Sequence, residues 1–292
     1  MNKNTAKNIP LVSIVIITYG HEKFIDETIN GVVMQETNFD FELIIADDCS
    51  PDNTSNLVND FIINHPKGYL IKYFRHEKNI GMMTNFLFAL KECKGKYIAL
   101  CEGDDYWTDS LKLQKQVDFL ENNNDYNLTG HYSKSSEGKE LGIFNSDTFE
   151  FKDVYQKNIR IPTASIVYRN NFKFPNWFSN VYGGDRAIIF LNAQKGKLKV
   201  LPFFGSFYRL HEGGVESILK KDKFKVAIRN IKEEYIYYNL LKNELDVSII
   251  KKRILKNHYY IIALGVKKMK PFKFLTSIKS LIYFYLNDEI KF

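Results

Sequence analysis

Two apolar rhythms alternate over the first half of the chain. "LVSIVIITY" (11–19) is an unbroken β-branched run, the pattern of a strand covered on both faces. "HEKFIDETINGVVMQ" follows, with Phe24, Ile25, Thr28, Ile29, Val32 and Val33 at helical spacing. "FELIIADD" (41–48) reads as a second buried strand, and "SPDNTSNLVNDFIINH" as a helix opened by capping residues. "YLIKYF" (69–74) and "KYIALC" (96–101) supply two more strands. "NIGMMTNFLFALKEC" is a helix entered through glycine, and "DSLKLQKQVDFLENN" another capped helix. This alternation predicts βαβ units: a mostly parallel α/β sheet with helices on both faces.

The pattern changes near residue 126. Strand-like pieces follow: "YNLTGHYS", "GIFN", "DTFEFKDVY" and "IRIPTASIVYR". "GGDRAIIFLNAQKGK" reads as a helix after two glycines, and "LKVLPFFGSFYRLH" as a strand pair. Residues 10–125 are expected to bind a nucleotide and 126–216 an acceptor, the halves sharing one sheet, with residues 217–292 forming a helical extension.

Sheets of this kind bind ligands at the carboxyl ends of their strands. Here those ends are Thr18-Tyr19, Asp47-Asp48 and Glu102-Gly103-Asp104-Asp105. Three carboxylates at the tip of a buried strand repel one another and resist desolvation, so a cation or a proton has to compensate.

Composition narrows the classes. The 292 residues suit one large domain, or one domain with an appendage. Cys49, Cys93 and Cys101 have no paired spacing, which argues against a disulfide framework or a zinc site and favours a reduced, cytoplasmic setting. The first apolar run leads straight into charge and lacks a cleavage site, so it reads as a mature strand. No stretch reaches the ~18 apolar residues of a spanning helix. The net charge of +7 is uneven: residues 217–292 hold 17 Lys/Arg against 7 Asp/Glu. No nucleic-acid module accompanies that basic tail. "FKFLTSIKSLIYFYL" places Phe272, Leu275, Ile278, Leu281, Ile282 and Tyr285 near one helical face. Lys251, Lys252, Arg253, Lys256, Lys267, Lys268 and Lys270 lie upstream. A basic amphipathic segment over 251–286 fits an anionic membrane surface or a helix packed on the catalytic domain.

"VSIVIITYG", "LIIADDCSPDNT", "NIGMMTNF", "GKYIALCEGDDYWTDSLKLQKQVDFL" and "GGDRAIIFLNAQKGKLKVL", in that order, resemble a family-2 glycosyltransferase with the GT-A fold, over roughly residues 10–215. The resemblance implies transfer of a sugar from a nucleotide diphosphate donor to an acceptor hydroxyl, with inversion and a divalent metal, Mn²⁺ or Mg²⁺. By it, Tyr19 borders the nucleotide base and Asp48 reads the base edge, which points to a UDP-sugar. Asp104 and Asp105 match the ribose and metal site, Asp185 matches the catalytic base, and His211 matches a histidine that reaches the metal in some members. Glu102 is a further donor-site candidate. Three positions depart from the family pattern: Glu102-Gly103 where an Asp-Ser pair is usual, Gly20 where Asn is usual, and Gly184 where an acidic residue is usual.

The chemistry needs these types. A hard divalent cation prefers oxygen ligands and stabilises charge on a departing diphosphate. A positioned carboxylate that takes the acceptor proton contributes roughly 10²–10⁴-fold. Gly103 would let the backbone approach the donor. Arg209 suits either the diphosphate or a surface ion pair. Each carboxylate also has a plainer role available: Asp48 as a loop cap, Asp104 and Asp105 as caps of the next helix, Asp185 as a favoured N-terminal charge. The expected protein is a cytoplasmic enzyme building a bacterial polysaccharide or lipopolysaccharide on a glycan or lipid-linked acceptor, at the inner membrane face. A catalytically idle nucleotide-sugar-binding or membrane-scaffolding protein is the alternative.

Overall fold

In the computed structural model β1 (Val12–Thr18) lies between two parallel neighbours, and its Val12, Ile14, Val15 and Ile16 are all but inaccessible. The structure describes residues 9–215, 217, 221–267 and 271–287. After β1 come α1 (Ile25–Val33), β2 (Phe41–Asp47), α2 (Thr54–Asn64), β3 (Ile71–Arg75), α3 (Met82–Glu92) and β4 (Tyr97–Glu102). β5 (Tyr106–Trp107) and α4 (Lys112–Asn122) complete the first half. β1 to β4 are parallel, in the order β3-β2-β1-β4. β1, β2 and β4 bury apolar residues on both faces, as unbroken runs require, whereas β3 at the sheet edge buries only Ile71.

The second half continues the same sheet. It contains β6 (Tyr126–Ser135), β7 (Glu140–Leu141), β8 (Thr148–Phe149), α5 (Phe151–Lys157), β9 (Val167–Arg169), α6 (Gly184–Ala193) and β10 (Lys197–Tyr208). β9 runs antiparallel to β4 and to β6, β10 parallel to β6, and β5 antiparallel to β10. β5 thereby ties the segment after the carboxylates to the far side of the sheet.

Some expectations are corrected. "LKVLPFFGSFYRLH" is not a strand pair but one strand, β10, whose register against β6 shifts at three places. Such bulges absorb Pro202 and Gly205 without a reversal. "GIFN" forms no strand, and "DTFEFKDVY" turns from β8 into α5 through a capping box of Glu150 and Asp153. "IRIPTASIVYR" carries a 3₁₀ turn at Thr163–Ser165 before β9.

The chain divides into two compact units: residues 1–179 with 183–210, and residues 180–182 with 211–292. The boundary falls at Leu210, where the sequence suggested 216. In the second unit α7 (Lys223–Leu241), α8 (Ser248–Lys267) and α9 (Pro271–Asn287) pack together. The Asp222 carboxylate caps α7 by accepting from Phe224 N and Lys225 N. Glu234 pairs with Arg253 at 3.0 Å, and His258 Nδ1 lies 3.0 Å from Ser277 Oγ. Burial pushes the His258 imidazole down to about 4. The expected apolar face of α9 is not its buried one: Leu275 and Ile282 are exposed and Ile278 and Leu281 half-buried, whereas Ser277, Ser280 and Phe284 are buried. Lys268 and Lys270 lie outside the described residues, as do the side chains of Lys267, Phe272 and Tyr285.

Candidate active site

The parallel register fixes where the polar ends meet. Thr18 of β1 sits beside Asp47 of β2, and Ile17 beside Glu102 of β4. Gly103 N–H still reaches Ile17 O, and Asp48 N–H reaches Thr18 O, both at 3.0 Å. The buried Thr28 Oγ1 of α1 lies 2.6 Å from Asp105 O and 3.0 Å from Gly103 O, so α1 holds the carboxylate loop from behind. A Cβ at Gly103 would stand 2.6 Å from His21 Nδ1 and 2.8 Å from Thr18 Oγ1. Gly103 is thus required by the protein's own β1 end.

The carboxylates are strained electrostatically. Asp105 is 2% exposed. Burial, then the charge of Asp104, pushes its pKa well above the usual range, against the pull of Arg209. Glu102 is likewise pushed well up, by burial first and then by Asp105, Asp104 and Asp185. Asp104 Oδ2 lies 3.9 Å from His21 Nε2, and His21 Nδ1 lies 3.1 Å from Thr18 Oγ1.

Arg209 bonds directly to this loop. Its backbone N–H donates to Asp105 Oδ1 at 2.9 Å and its guanidinium Nη1 to Asp104 O at 2.6 Å. Its Nη2 pairs with Glu27, and the guanidinium stacks 4.3 Å from the Tyr106 ring centre and 5.2 Å from that of Phe24. Its charge is therefore engaged by the loop and by Glu27.

The Asp47-Asp48 pair divides its work. Asp47, fully buried, accepts from Ser50 N–H at 2.7 Å and from Tyr73 O–H at 2.7 Å. Asp48 accepts Ile80 N–H at 2.6 Å on one oxygen and Gly81 N–H at 3.0 Å on the other. It thereby fixes the loop entering α3, and each oxygen keeps a further lone pair. Cys49 turns the chain here with φ 64°, and Gly20 with φ 73°. Asn and Gly are the residues that enter this left-handed region most easily, which accounts for Gly20 at an Asn position.

Tyr19 stands 48% exposed at the end of β1. Asp185 lies half-buried in the first turn of α6. A Cβ at Gly184 would meet Phe86 ring carbons at 2.7 Å, so an acidic residue has no room there. Neither Asp104 nor Asp105 caps α4, which has no side-chain cap; Asp109 Oδ1 accepts Leu111 N–H at 2.9 Å in the turn that leads into it. His211 belongs to the second unit. Sequence reasoning passed over His21, Thr28 and Glu27. Thr28 counted only as one position of a helical stripe, and its buried hydroxyl was the available signal.

The donor set fits a hard divalent cation. Glu102 and Asp105 are held above their ordinary pKa by burial and mutual repulsion, the condition that a bound cation relieves.

Comparison with known proteins agrees with this architecture. The model of glycosyl transferase family 2 matches residues 13–175. A Mycobacterium bovis protein of uncharacterized function is 34% identical over 70% of this chain, and the match spans 60% of that relative's length. WfaP of Escherichia coli, a UDP-Glc:alpha-D-GlcNAc-diphosphoundecaprenol beta-1,3-glucosyltransferase, is 29% identical over 75% of this chain and 83% of its own. Among solved structures, Staphylococcus aureus TarS with UDP-GlcNAc superposes with TM-score 0.63 at 18% identity, over 93% of this chain and 80% of TarS. The Pyrobaculum calidifontis mannosyltransferase PcManGT, solved with GDP-Man and Mn²⁺, gives 0.59 at 14%, over 97% and 77%. The chain belongs to glycosyl transferase family 2, and its fold is GT-A.

Proposed function

We propose that the protein is a metal-dependent, inverting glycosyltransferase that uses a UDP-sugar and a glycan or lipid-linked glycan acceptor in polysaccharide or lipopolysaccharide synthesis. The observation that carries this is the carboxylate cluster of Glu102, Asp104 and Asp105 at the carboxyl end of β4, in which burial disfavours the charge on Glu102 and Asp105, with Asp185 close enough to raise Glu102 further. Asp105 and Asp104 would hold Mn²⁺ or Mg²⁺; His211 is a candidate ligand on the sequence resemblance alone. The bound metal would neutralise charge on the departing diphosphate. Tyr19 would border the base, and Asp48, with its loop at Ile80-Gly81, would read its edge. Asp185 would take the acceptor proton as the hydroxyl attacks opposite the diphosphate. UDP is favoured over GDP by WfaP, whose name specifies a UDP-sugar and a lipid-linked acceptor.

No described helix is long and apolar enough to cross a membrane. Association with an anionic surface is supported by the exposed stripe Lys252, Lys256, Tyr259, Tyr260 and Val266 on α8, and by Leu275, Lys279 and Ile282 on α9. Such a surface would put the enzyme at the inner face of the cytoplasmic membrane.

Calorimetric titration with UDP, GDP and dTDP, in Mn²⁺ and then in EDTA, tests the reading. UDP binding that chelation abolishes is the expected result. Failure of all three nucleotides in both conditions would move the idle-scaffold alternative ahead.

A further inference from the structure

Between α4 and β6, behind the carboxylate loop, three buried polar atoms make no hydrogen bond to protein: Lys112 Nζ, Gln116 Oε1 and His131 Nε2. All three residues are fully buried. Lys112 and Gln116 are one turn apart on α4, on the same face. Gln116 Nε2 lies 2.8 Å from Ser165 O, 3.1 Å from Thr129 Oγ1 and 3.3 Å from Thr129 O. Carbonyls only accept, so the amide orientation is fixed and Oε1 is left as an acceptor. Thr129 and His131 share one face of β6, two residues apart. His131 Nδ1 lies 2.9 Å from Tyr132 O, so that nitrogen carries the proton and Nε2 is an acceptor. Burial and the nearby Lys112 keep this imidazole well below its ordinary pKa, consistent with a neutral ring. The backbone of Gly205 packs close against this ring, since a Cβ there would stand 2.9 Å from Nε2.

The Lys112 Nζ lies 3.9 Å from the centre of the Trp107 ring. Trp107 is two residues past Asp105, and its Nε1 donates to Ala164 O at 2.8 Å. The lysine therefore bears on the segment that carries the carboxylates.

We propose that Lys112 Nζ, Gln116 Oε1 and His131 Nε2 enclose an ordered water, and that this hydrated cluster positions the Trp107 segment and with it the carboxylate loop. The valences match: the water accepts from Nζ and donates to the two acceptors. An anion would face two acceptors and a metal ion would face the lysine, so neither fits. Water with two to four polar partners is the usual partner of buried polar groups that no protein atom satisfies. The water site rests on this geometry alone; only its consequence for catalysis rests on the function proposed above.

Three measurements on the full chain test it. A crystal structure should show one water within hydrogen-bonding distance of all three atoms; a dry cluster overturns the site. ¹⁵N NMR of His131 should show a proton on Nδ1 and an acceptor Nε2 throughout pH 5.5–8.5; a proton on Nε2 overturns the valence match. Hydrogen exchange in Lys112→Met should quicken about tenfold at the amides of residues 102–107 with β1 and β2 unchanged, and Lys112→Gln, which retains a donor, should restore protection. Unchanged exchange at 102–107, or no rescue by Lys112→Gln, overturns the positioning role. None of these readouts needs a nucleotide, so loss of UDP binding in the calorimetry would leave them intact.

Discussion

Asp105→Asn tests whether the central carboxylate is held in place for a cation. The Asn Oδ1 can still accept the Arg209 N–H that Asp105 accepts at 2.9 Å. What disappears is a charge that burial and Asp104 disfavour. A carboxylate with a raised folded pKa binds more protons folded than unfolded between its ordinary and raised values. Stability is therefore full below the ordinary value and falls as pH rises toward the raised one. The metal-free wild type carries that loss at pH 7.5, and the variant does not. Each unit of upward shift corresponds to about 1.4 kcal/mol, and each kcal/mol moves the melting midpoint by roughly 2–4 °C in a unit of this size. Scanning calorimetry in EDTA at pH 7.5 should show the variant melting about 3 °C or more above wild type, the gap closing near pH 4. Mn²⁺ should raise the wild-type midpoint and leave the variant unmoved. A variant that melts below wild type in EDTA at pH 7.5 would refute the reasoning, because the protein alone would then be stabilising the charge.

Asp185→Asn should retain nucleotide affinity and lose about 10²–10⁴-fold in transfer rate, measured by product formation; substantial remaining transfer removes it as the base. Gly103→Ala pushes a methyl group against Thr18 and His21 and should cost about 1–3 kcal/mol in urea unfolding, with weaker metal-dependent UDP binding. Reversing the exposed Lys252, Lys256 and Lys279 to Glu should weaken binding to phosphatidylserine vesicles by at least about 100-fold, at about 1 kcal/mol per lost charge; unaltered partition would show that the tail does not meet anionic lipid.

The order of strands and helices from β1 to β4, and the helix α4, was legible in the sequence because local periodicity reports which faces are buried, and those faces repeat within a few residues; the two-residue β5 between them was not. The same logic located Asp48, Glu102, Asp104 and Asp105 at strand ends, since the carboxyl edge of a parallel sheet follows from chain direction. Which partner each carboxylate meets was not legible. Arg209 reaches Asp105 across 104 residues, and Thr28 reaches its carbonyl across 77. Asp48 turns out to hold the loop before α3, and Gly103 to make room for His21, because only the packed sheet brings those atoms within hydrogen-bond or van der Waals range. The bulged course of β10 and the burial of Lys112 against Trp107 have the same origin: each is decided by what lies opposite in space, and a chain read residue by residue carries no record of that neighbour.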